Sequence, residues 1–370
     1  MIRFLHLTPG PDAADVRAAI DRVVARGWFI LGPELEAFER AFAGACAAPH
    51  AIGVGNGTDA LALALRALGI GPGDEVITAP LSAAYTALAI MMAGARPVFA
   101  DIDPERLTID PRAVDAAITS RTAAILPVHI YGQAADMPAL AAIAQRHKVA
   151  LVEDCCQAHL ATCEGRPVGS FGAAAAYSFY PTKNLGALGD AGLLTTADGA
   201  VAERARRLRN GGQTDRYHHG EFGVNSRLDE IQAAVLHARL AWLPRWTEAR
   251  RALARRYRER LRDAPVFVPP ERDPGHVYHL FPVLSEQRTA LQRHLADRGI
   301  ETLIHYPVPI PRQPALAAER PAACPVADRV CAQVLSLPLH PGLAAGAVDE
   351  VAAAVTAPAA PRGGTAVAPD

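Results

Sequence analysis

Ala51-Ile-Gly-Val-Gly-Asn-Gly-Thr-Asp-Ala-Leu-Ala-Leu-Ala-Leu-Arg-Ala-Leu68 passes from a short apolar run into a helical pattern within eighteen residues. Residues 51–55 predict a buried strand. The leucines at 61, 63, 65 and 68 predict a helix over residues 59–68, and a glycine-rich turn joins the two elements. A buried strand that leads directly into a helix is typical of α/β proteins with a mainly parallel sheet.

The same alternation continues from residue 51 to about residue 209. Apolar runs predict further strands at 75–78, 97–101, 123–129, 150–154 and 173–177. Helical periodicity predicts helices at 82–93, 111–118 and 137–147. Ligands of such folds bind beyond the carboxyl ends of the strands, so functional side chains should follow the apolar runs directly.

A second, smaller domain is predicted after this alternation. Residues 226–261 predict one long or broken helical stretch, interrupted near Pro244. Beyond it, a strand is expected at 276–284, a helix at 287–298 and another strand at 335–339. We therefore expect a large domain over 1–244 and a small C-terminal α/β domain over 245–356. The segment 357–370 lacks apolar periodicity and is expected to be a disordered tail.

Composition narrows the classes of partner. The 370 residues include 37 basic and 38 acidic side chains, giving a formal net charge of -1, and 50% are hydrophobic. This balance argues against nucleic acid or an anionic membrane as partner and favours a small, locally bound ligand. Neither a signal peptide nor a membrane span is expected, and the six cysteines are expected to be free thiols. A soluble, cytoplasmic protein follows.

The turn Gly55-Asn-Gly-Thr58-Asp59 lies where the first strand meets its helix. Thr58 is predicted to be the N-cap, and Gly57 would let the backbone approach a ligand closely. Unpaired N–H groups at a helix N-terminus can bind a phosphate. Taken alone, the turn is better explained as an ordinary glycine turn with a threonine cap.

Asp154 ends an apolar strand, at the edge where ligands bind. A carboxylate there can pair with a protonated pyridine nitrogen, which keeps such a ring an effective electron sink. A helix N-cap or a metal ligand is an equally good explanation of Asp154 alone. The pair His218 and His219 has no carboxylate or cysteine beside it in sequence and makes a weak metal site, so no metal is expected.

Lys183 follows the buried strand at 173–177, within Ser178-Phe-Tyr-Pro-Thr-Lys-Asn184. Lysine is normally solvated, and a desolvated lysine amine loses its proton more readily and becomes a nucleophile for a carbonyl. Ser178 is placed to share in holding a phosphate. A lone lysine is most often a surface residue, but this one accompanies a phosphate turn and a strand-end aspartate.

Together these segments resemble the DegT-type (DegT/DnrJ/StrS) sugar aminotransferases, which are pyridoxal phosphate (PLP) enzymes of the aspartate-aminotransferase fold, fold type I. The resemblance covers nearly the whole chain in the family's order. The matching segments are Gly32-Pro-Glu34 with Phe38-Glu39, Gly57-Thr-Asp-Ala-Leu61, Pro127-Val-His-Ile-Tyr-Gly132, Glu153-Asp154 with Gln157-Ala-His159, Ser178-Phe-Tyr-Pro-Thr-Lys-Asn-Leu-Gly186, Gly189-Asp190, Asn225-Ser-Arg-Leu-Asp-Glu230, His305-Tyr-Pro307 and Leu335-Ser-Leu-Pro338.

The resemblance implies a role for each matching residue. Lys183 would form the Schiff base with the cofactor and shuttle the proton between carbons. Asp154 would pair with the pyridine nitrogen, and Gln157 would reach the ring's phenolic oxygen. The phosphate would be held by three residues, Gly57, Thr58 and Ser178.

Asn225 would complete the phosphate site of the neighbouring subunit, which implies a homodimer with shared active sites. Within this sequence, Asn225 is explained equally well as the cap of a helix that starts at Ser226.

The chain departs from the family pattern at several positions. Ala83 stands where an aromatic residue often stacks on the cofactor ring, so Tyr85 is the remaining candidate for that contact. Cys155 and Cys156 replace a usual pair of alanines. Lys183 is present where relatives that remove a sugar hydroxyl carry histidine, which favours transamination.

The substrate follows from the resemblance alone. The stretch 210–225 is most similar to enzymes that aminate C-3 of a dTDP- or UDP-linked keto-hexose in amino-sugar biosynthesis. Glutamate is the expected donor and 2-oxoglutarate its product. Five residues are expected to bind the substrate: His305, Tyr306, Tyr217, His218 and Arg227. The alternatives are amination at C-4, another PLP chemistry such as sugar dehydration or desulfuration, and a regulator that keeps the fold without activity.

Overall fold

A computed structural model describes residues 1–319 and 321–357. Its centre is a seven-stranded sheet in the order β1-β9-β8-β5-β4-β2-β3, in which every neighbouring pair from β8 to β3 is parallel. β9 runs antiparallel to both β8 and β1. The strands of this sheet are β1 (His50–Val54), β2 (Glu75–Thr78), β3 (Arg96–Phe99), β4 (Thr122–Leu126), β5 (Ala150–Asp154), β8 (Ala174–Ser178) and β9 (Gly192–Thr196). The predicted α/β class with a mainly parallel sheet is confirmed.

Three small antiparallel pairs lie outside the main sheet. They are β6 (Thr162–Cys163) with β7 (Arg166–Pro167), β10 (Gln213–Asp215) with β11 (His218–His219), and β12 (Phe281–Leu284) with β13 (Val334–Leu337).

Helices of the main sheet region pack on both of its faces, where two apolar clusters form the core. The helices of the described residues are α1 (Ala13–Arg26), α2 (Pro33–Ala45), α3 (Gly57–Ala67), α4 (Tyr85–Met92), α5 (Pro111–Ala117), α6 (Met137–His147), α7 (Gly199–Arg209), α8 (Glu230–Leu240), α9 (Leu243–Arg260), α10 (Arg288–Ala296), α11 (Pro325–Gln333) and α12 (Ala345–Thr356). Helices of the part of the chain that the structure describes are all too short or too polar to cross a membrane.

Residues beyond α8 build a third apolar cluster around β12 and β13. Its members include Tyr257, Phe281, Leu335 and Val351, all buried. The N-terminal strand bridge Ile2 to Ile300 adds the start of the chain to this region. The division into residues 1–244 and 245–356 stays a prediction. The expected disordered tail over 357–370 lies, from residue 358 onward, outside the described residues.

Several elements match their predicted bounds, including β2, β5 and α6. Two predicted elements begin four or more residues later than expected. The helical stretch expected from Ser226 begins only at Glu230, because the Ser226 N–H donates to the Arg209 carbonyl and keeps this segment extended. Asn225 is therefore not a helix cap.

The second wrong prediction is the strand at 276–284, which is limited to Phe281–Leu284. The residues before it bind the Tyr131–Gly132 turn instead: the Val277 N–H donates to the Gly132 carbonyl at 3.0 Å, and Tyr278 has a φ of 47°.

The helix pair α2 and α8 is joined by a buried carboxylate. Glu230, at the start of α8, has no exposed surface. Its Oε1 accepts the N–H groups of Gly32 and Leu35 and its Oε2 that of Glu34, all at 2.9 Å. Gly32, the N-cap of α2, has no side chain to bond these N–H groups. Glu230, which belongs to α8, therefore accepts the hydrogen bonds of the unpaired N–H groups at the start of α2.

We expect Glu230→Gln to lower the free energy of unfolding by about 1–3 kcal/mol, because the amide group would turn a donor towards one of the N–H groups that Oε1 and Oε2 now accept. Denaturant unfolding measures the change. Glu248→Gln is the matched control, because Glu248 is 62% exposed and pairs only with an equally exposed Arg255. Equal stability of the two variants would contradict this role of Glu230.

Candidate active site

A cavity of about 780 Å³ opens at the carboxyl ends of the parallel strands. Most of the residues predicted for cofactor and substrate line it: Gly57, Thr58, Tyr85, Asp154, Gln157, Ser178, Lys183, His305 and Tyr306. They come from the region after β1, the ends of β5 and β8, and a loop of the C-terminal region. The sheet therefore gathers side chains that lie up to 249 positions apart in sequence (Gly57 to Tyr306).

The glycine turn forms the N-terminus of α3, but Thr58 is not its cap. Asn56 is the N-cap: its backbone is extended, and its Oδ1 accepts the Asp59 N–H at 2.9 Å. Thr58 falls inside the first turn of the helix. The prediction failed because asparagine and threonine are both good caps, and only the backbone conformation decides between neighbours.

Close packing brings this helix end against the end of β8. A Cβ on Gly57 would lie 2.7 Å from the Ser178 Cβ and 3.0 Å from the Cys156 Sγ, so only glycine fits without displacement. The N-terminus of α3 and the Ser178 side chain consequently border the same corner of the cavity. N–H groups, a helix dipole and a hydroxyl are the donors that a phosphate needs.

Asp154 lies at the end of β5 and is 4% exposed. Its Oδ2 accepts the Thr86 hydroxyl at 2.9 Å, and its Oδ1 accepts the Cys156 N–H at 3.1 Å. Each oxygen keeps a further lone pair, since a carboxylate offers about four acceptor positions. The carboxylate is thus oriented and can accept a third donor from the cavity.

Gln157 is held at both ends of its amide. Oε1 accepts the Tyr131 N–H at 2.7 Å, and Nε2 donates to the Tyr306 hydroxyl at 3.1 Å. Tyr131 in turn donates its hydroxyl to the His305 carbonyl at 2.5 Å. The second Nε2 proton of Gln157 remains available for an oxygen in the cavity.

Lys183 lies in the turn after β8, where its N–H donates to the Tyr180 carbonyl at 2.8 Å. Burial lowers the pKa of its amine, while the neighbouring Cys156 and Asp154 act in the opposite direction. Burial, together with the Lys183 charge, also lowers the pKa of His159 to about 3 and that of His305 to about 4. The lysine therefore shares its surroundings with neutral imidazoles.

Four predicted residues lie outside the cavity of their own chain. Tyr217 is 78% exposed, and His218 contacts Asp215 on an exposed strand pair. Arg227 donates to the Asn210 Oδ1 at 3.1 Å. Asn225 is exposed and forms a strand bridge with Asn210. Their predicted roles stay predictions, because each would have to act on another subunit or through a rearranged loop.

Two residues of the cavity, Thr86 and His279, and the neighbouring Tyr131 were missed by sequence reasoning. Thr86, on α4, donates its hydroxyl to Asp154, and Tyr131, in a loop, donates its backbone N–H to Gln157. His279, in a second loop, contributes an imidazole to the cavity lining. A signal existed for Tyr131, which lies inside the family motif at 127–132. Tyr85 lines the cavity at the start of α4 but is 64% exposed, and Ala83 lines it as well.

One group of metal-ligand types occurs in the described part of the chain: His129, Glu153 and Cys155. Its donor atoms are already used. The His129 Nδ1 accepts the Ala135 N–H at 3.0 Å, so Nε2 donates to Glu153 at 3.1 Å. Glu153 also accepts three backbone N–H groups from residues 169–172 at 2.7–2.9 Å. This buried network ties β5 to the loop before β8.

The vicinal cysteines are poor nucleophiles. Burial raises the pKa of both the Cys155 and the Cys156 thiol well above the usual range. Reactive cysteines need a lowered pKa, so this environment opposes a desulfuration chemistry that depends on a thiolate.

The residues present fit PLP. The α3 N-terminus with Ser178 suits a phosphate, the buried Asp154 suits a ring N–H, and Lys183 suits an aldehyde. The tight contact of Gly57 with Ser178 brings the N-terminus of α3 and the Ser178 hydroxyl to the same corner. The fold and the site together define a PLP-dependent aminotransferase of fold type I.

Comparison with known proteins agrees. The chain belongs to the DegT/DnrJ/EryC1/StrS aminotransferase family, whose sequence model matches residues 12–356. It is 50% identical over 336 residues to the dTDP-3-amino-3,4,6-trideoxy-alpha-D-glucose transaminase of Streptomyces venezuelae, covering 89% of this chain and 88% of the relative. It is 49% identical over 350 residues to the erythromycin biosynthesis sensory transduction protein EryC1 of Saccharopolyspora erythraea, covering 93% and 95%.

A solved structure, S. venezuelae DesV in complex with a ketimine intermediate, superposes with a TM-score of 0.93 at 48% identity. The match covers 96% of this chain and 97% of that one. The expected fold type I and the expected family are confirmed.

We expect Gly57→Ala to weaken PLP binding by about 5- to 100-fold, because the added methyl group would force the phosphate turn away from Ser178. Absorbance titration of cofactor-free protein with PLP measures the dissociation constant. Gly44→Ala is the control, since a Cβ there meets nothing within 4 Å. An unchanged dissociation constant for Gly57→Ala would remove the turn from the phosphate site.

Proposed function

We propose that the enzyme transfers the amino group of glutamate to C-3 of a dTDP- or UDP-linked keto-hexose, in amino-sugar biosynthesis. The observation that carries this is a single cavity that joins Lys183, Asp154 and the α3 N-terminus. The similarity to the S. venezuelae relative, a transaminase named for a 3-amino sugar nucleotide, supports C-3 over the alternative C-4.

Each residue predicted to hold the cofactor from within its own cavity is proposed to have a role. Bound here, PLP supplies an electron-accepting ring that makes the proton beside an amino group removable. Lys183 takes and returns that proton, and burial favours this role because it lowers the pKa of the amine. Asp154 keeps the ring nitrogen protonated, and Gln157 donates to the phenolic oxygen. The phosphate is bound by Gly57, Thr58 and Ser178.

The sugar nucleotide enters over the exposed rim of the cavity. Tyr85 is proposed to stack on the ring, because it lies on the cavity wall and Ala83 beside it has no aromatic side chain. His305 and Tyr306 line the same cavity, where they can bond sugar hydroxyls.

We further propose a homodimer in which each chain completes the other's site. Asn225 would reach the neighbouring phosphate, and the exposed Tyr217, His218 and Arg227 would contact the neighbouring nucleotide. Support comes from their position: they are polar or aromatic, close in sequence, and outside their own cavity.

Two other proposals are weaker. A regulator without activity would agree with the name of EryC1, a sensory transduction protein. A regulatory role does not explain why a buried lysine lies near an oriented carboxylate. A cytoplasmic location is proposed because all six cysteines are unpaired thiols, as expected in a reducing compartment.

The function is tested in two half-reactions. Glutamate should bleach the absorbance of the bound aldehyde, and the resulting amino form should then react with a 3-keto nucleotide sugar about 10-fold or more faster than with its 4-keto isomer. Borohydride reduction followed by peptide mass spectrometry should place the cofactor on Lys183. An unmodified Lys183 would refute the mechanism, and preference for the 4-keto sugar would refute only the position.

Shared sites are tested by mixing two inactive homodimers. Lys183→Ala lacks the amine, and Asn225→Asp places a negative charge near the partner's phosphate. After subunit exchange about a quarter of all sites should be intact, so activity should return to about that fraction of wild type. Each variant mixed with itself is the control. No recovery, despite exchange shown by mass spectrometry, would confine each site to one chain.

A further inference from the structure

A buried histidine that has no part in the proposed cycle is hydrogen-bonded to the end of β8. His159 has no exposed surface, and its Nε2 lies 2.9 Å from the Ser178 carbonyl oxygen. Ser178 is the last residue of β8 and lines the cavity where the phosphate is proposed to bind. His159 itself does not line the described cavity, so any effect on a ligand has to pass through Ser178.

The histidine takes the place of a strand partner. In β8 the Ala176 carbonyl accepts the N–H of Cys155, the residue that follows β5, at 2.9 Å. Carbonyl groups two residues apart on a strand point to the same side, so the Ser178 carbonyl also faces the side of β5. At this level β5 has already ended, at Asp154. His159 therefore supplies the donor that the neighbouring strand no longer offers.

One ring nitrogen accounts for the hydrogen bond. A carbonyl oxygen only accepts, so the Nε2 of His159 carries the proton. Burial and the charge of Lys183 lower the pKa of His159 to about 3, so the ring is neutral at neutral pH and Nδ1 is an acceptor. Among the described residues this buried Nδ1 has no hydrogen-bond partner. An apolar side chain would avoid that cost, so the Nε2 bond is what the imidazole adds here.

Close packing fixes both the imidazole and its acceptor. The ring centroid of His159 lies 5.4 Å from that of Phe179 and 6.1 Å from that of Tyr177, and both rings are buried. A Cβ on Gly57 would lie 2.7 Å from the Ser178 Cβ. Ser178 thus contacts a fixed donor and the N-terminus of α3. A small shift of its backbone would change the distance between its hydroxyl and the N–H groups of that helix.

The lysine end of the same segment is held separately. Asn184, directly after Lys183, donates its Nδ2 to the Val277 carbonyl at 2.9 Å. Arg250 in turn donates to two carbonyls of that loop at 3.2 and 3.3 Å. Loss of the His159 bond should therefore disturb the end of β8 and leave the amine in place.

We propose that His159 is a positioning residue for the phosphate site: by donating to the Ser178 carbonyl, it holds the Ser178 hydroxyl beside the α3 N-terminus, where both can bind a phosphate. The hydroxyl oxygen has only a long contact of 3.4 Å with the Tyr180 N–H, so its own proton is free for a phosphate oxygen. This inference rests on the proposed role of Ser178. It assigns to His159 an effect on the phosphate and none on the aldehyde or the ring.

Two ligands that differ in the phosphate group test this assignment. Cofactor-free protein is titrated with PLP and with pyridoxal, and the ratio of the two dissociation constants reports on the phosphate site. Methionine and glutamine are both unbranched and similar in size, but only glutamine keeps an N–H near the position of Nε2. We expect His159→Met to weaken PLP binding by about 5- to 20-fold and pyridoxal binding by less than about twofold. His159→Gln should stay within about threefold of wild type for both ligands.

His294→Met is the matched control. His294 is buried in the C-terminal region, and its Nε2 lies 3.1 Å from the Ala354 carbonyl, so this variant loses the same kind of bond away from the cavity. Its two dissociation constants should match those of wild type. Equal weakening of PLP and pyridoxal by His159→Met would overturn the inference, because the histidine would then support the fold in general. Equal effects of His159→Met and His159→Gln would overturn it too, because the donor would then be irrelevant.

Ser178→Ala distinguishes this inference from the proposed site. It should raise the same ratio, and His159→Met added to it should raise the ratio no further, because the hydroxyl to be positioned is gone. Independent, additive effects would overturn the inference. An unchanged ratio in Ser178→Ala would refute the proposed phosphate role of Ser178 itself. A raised ratio in Ser178→Ala with an unchanged ratio in His159→Met would overturn the inference alone.

Should His159→Met not fold, wild-type protein decides. Nitrogen-15 NMR of histidine-labelled enzyme should show one Nε2–H resonance that is absent from His159→Gln and belongs to His159. This resonance should shift more when PLP is added than when pyridoxal is added, because only PLP brings a phosphate to Ser178. Equal shifts with the two ligands would overturn the inference.

Discussion

Neighbouring parallel strands β5 and β8 set the position of every reactive group in this enzyme. Asp154 pairs in register with Ala176, so the strand-end carboxylate and the segment that carries Ser178 and Lys183 leave the sheet side by side. A carboxylate and a lysine amine could not be held together in water by side chains alone, because their ordering entropy would exceed the gain.

The phosphate turn is held by close packing at two glycines, where no side chain could fit. Gly57 abuts Ser178, and Gly192 on β9 has space for no Cβ because the Asn56 carbonyl would lie 2.2 Å away. Ser226 extends this packing: its hydroxyl donates to the Asp59 Oδ2 at 2.6 Å and accepts the Gly55 N–H at 2.9 Å. The segment that carries Asn225 is thereby joined to the phosphate turn of its own chain.

Sequence patterns predicted the parts of the site that follow strands. Asp154, Ser178 and Lys183 were found because an apolar run must end where a parallel sheet ends, and polar residues there face the ligand edge. Thr58 was predicted to be the N-cap of α3, but Asn56 is the cap. Both residue types are good caps, so only the backbone conformation distinguishes the two positions. Thr86 and His279 were missed, since contacts over 68 and 95 positions depend on tertiary packing that no local period records. The contacts of Asn225 and its neighbours cannot be predicted from local sequence patterns if the ligand they bind is held by another subunit.

The anchoring of Asn184 to the Val277 carbonyl has a consequence for exchanging parts between relatives. The segment with the reactive amine is hydrogen-bonded, through Asn184, to a loop of the C-terminal region almost a hundred residues away. Arg250 in turn donates a hydrogen bond to a carbonyl of that loop. A chimera that takes its C-terminal half from a relative, in order to alter sugar preference, would also replace the loop that holds Asn184, the residue after Lys183. A graft whose junction lies after residue 284 would keep Val277 and Arg250, but it would replace Tyr306, which accepts the Gln157 amide, and the Leu339 carbonyl that Arg250 bonds.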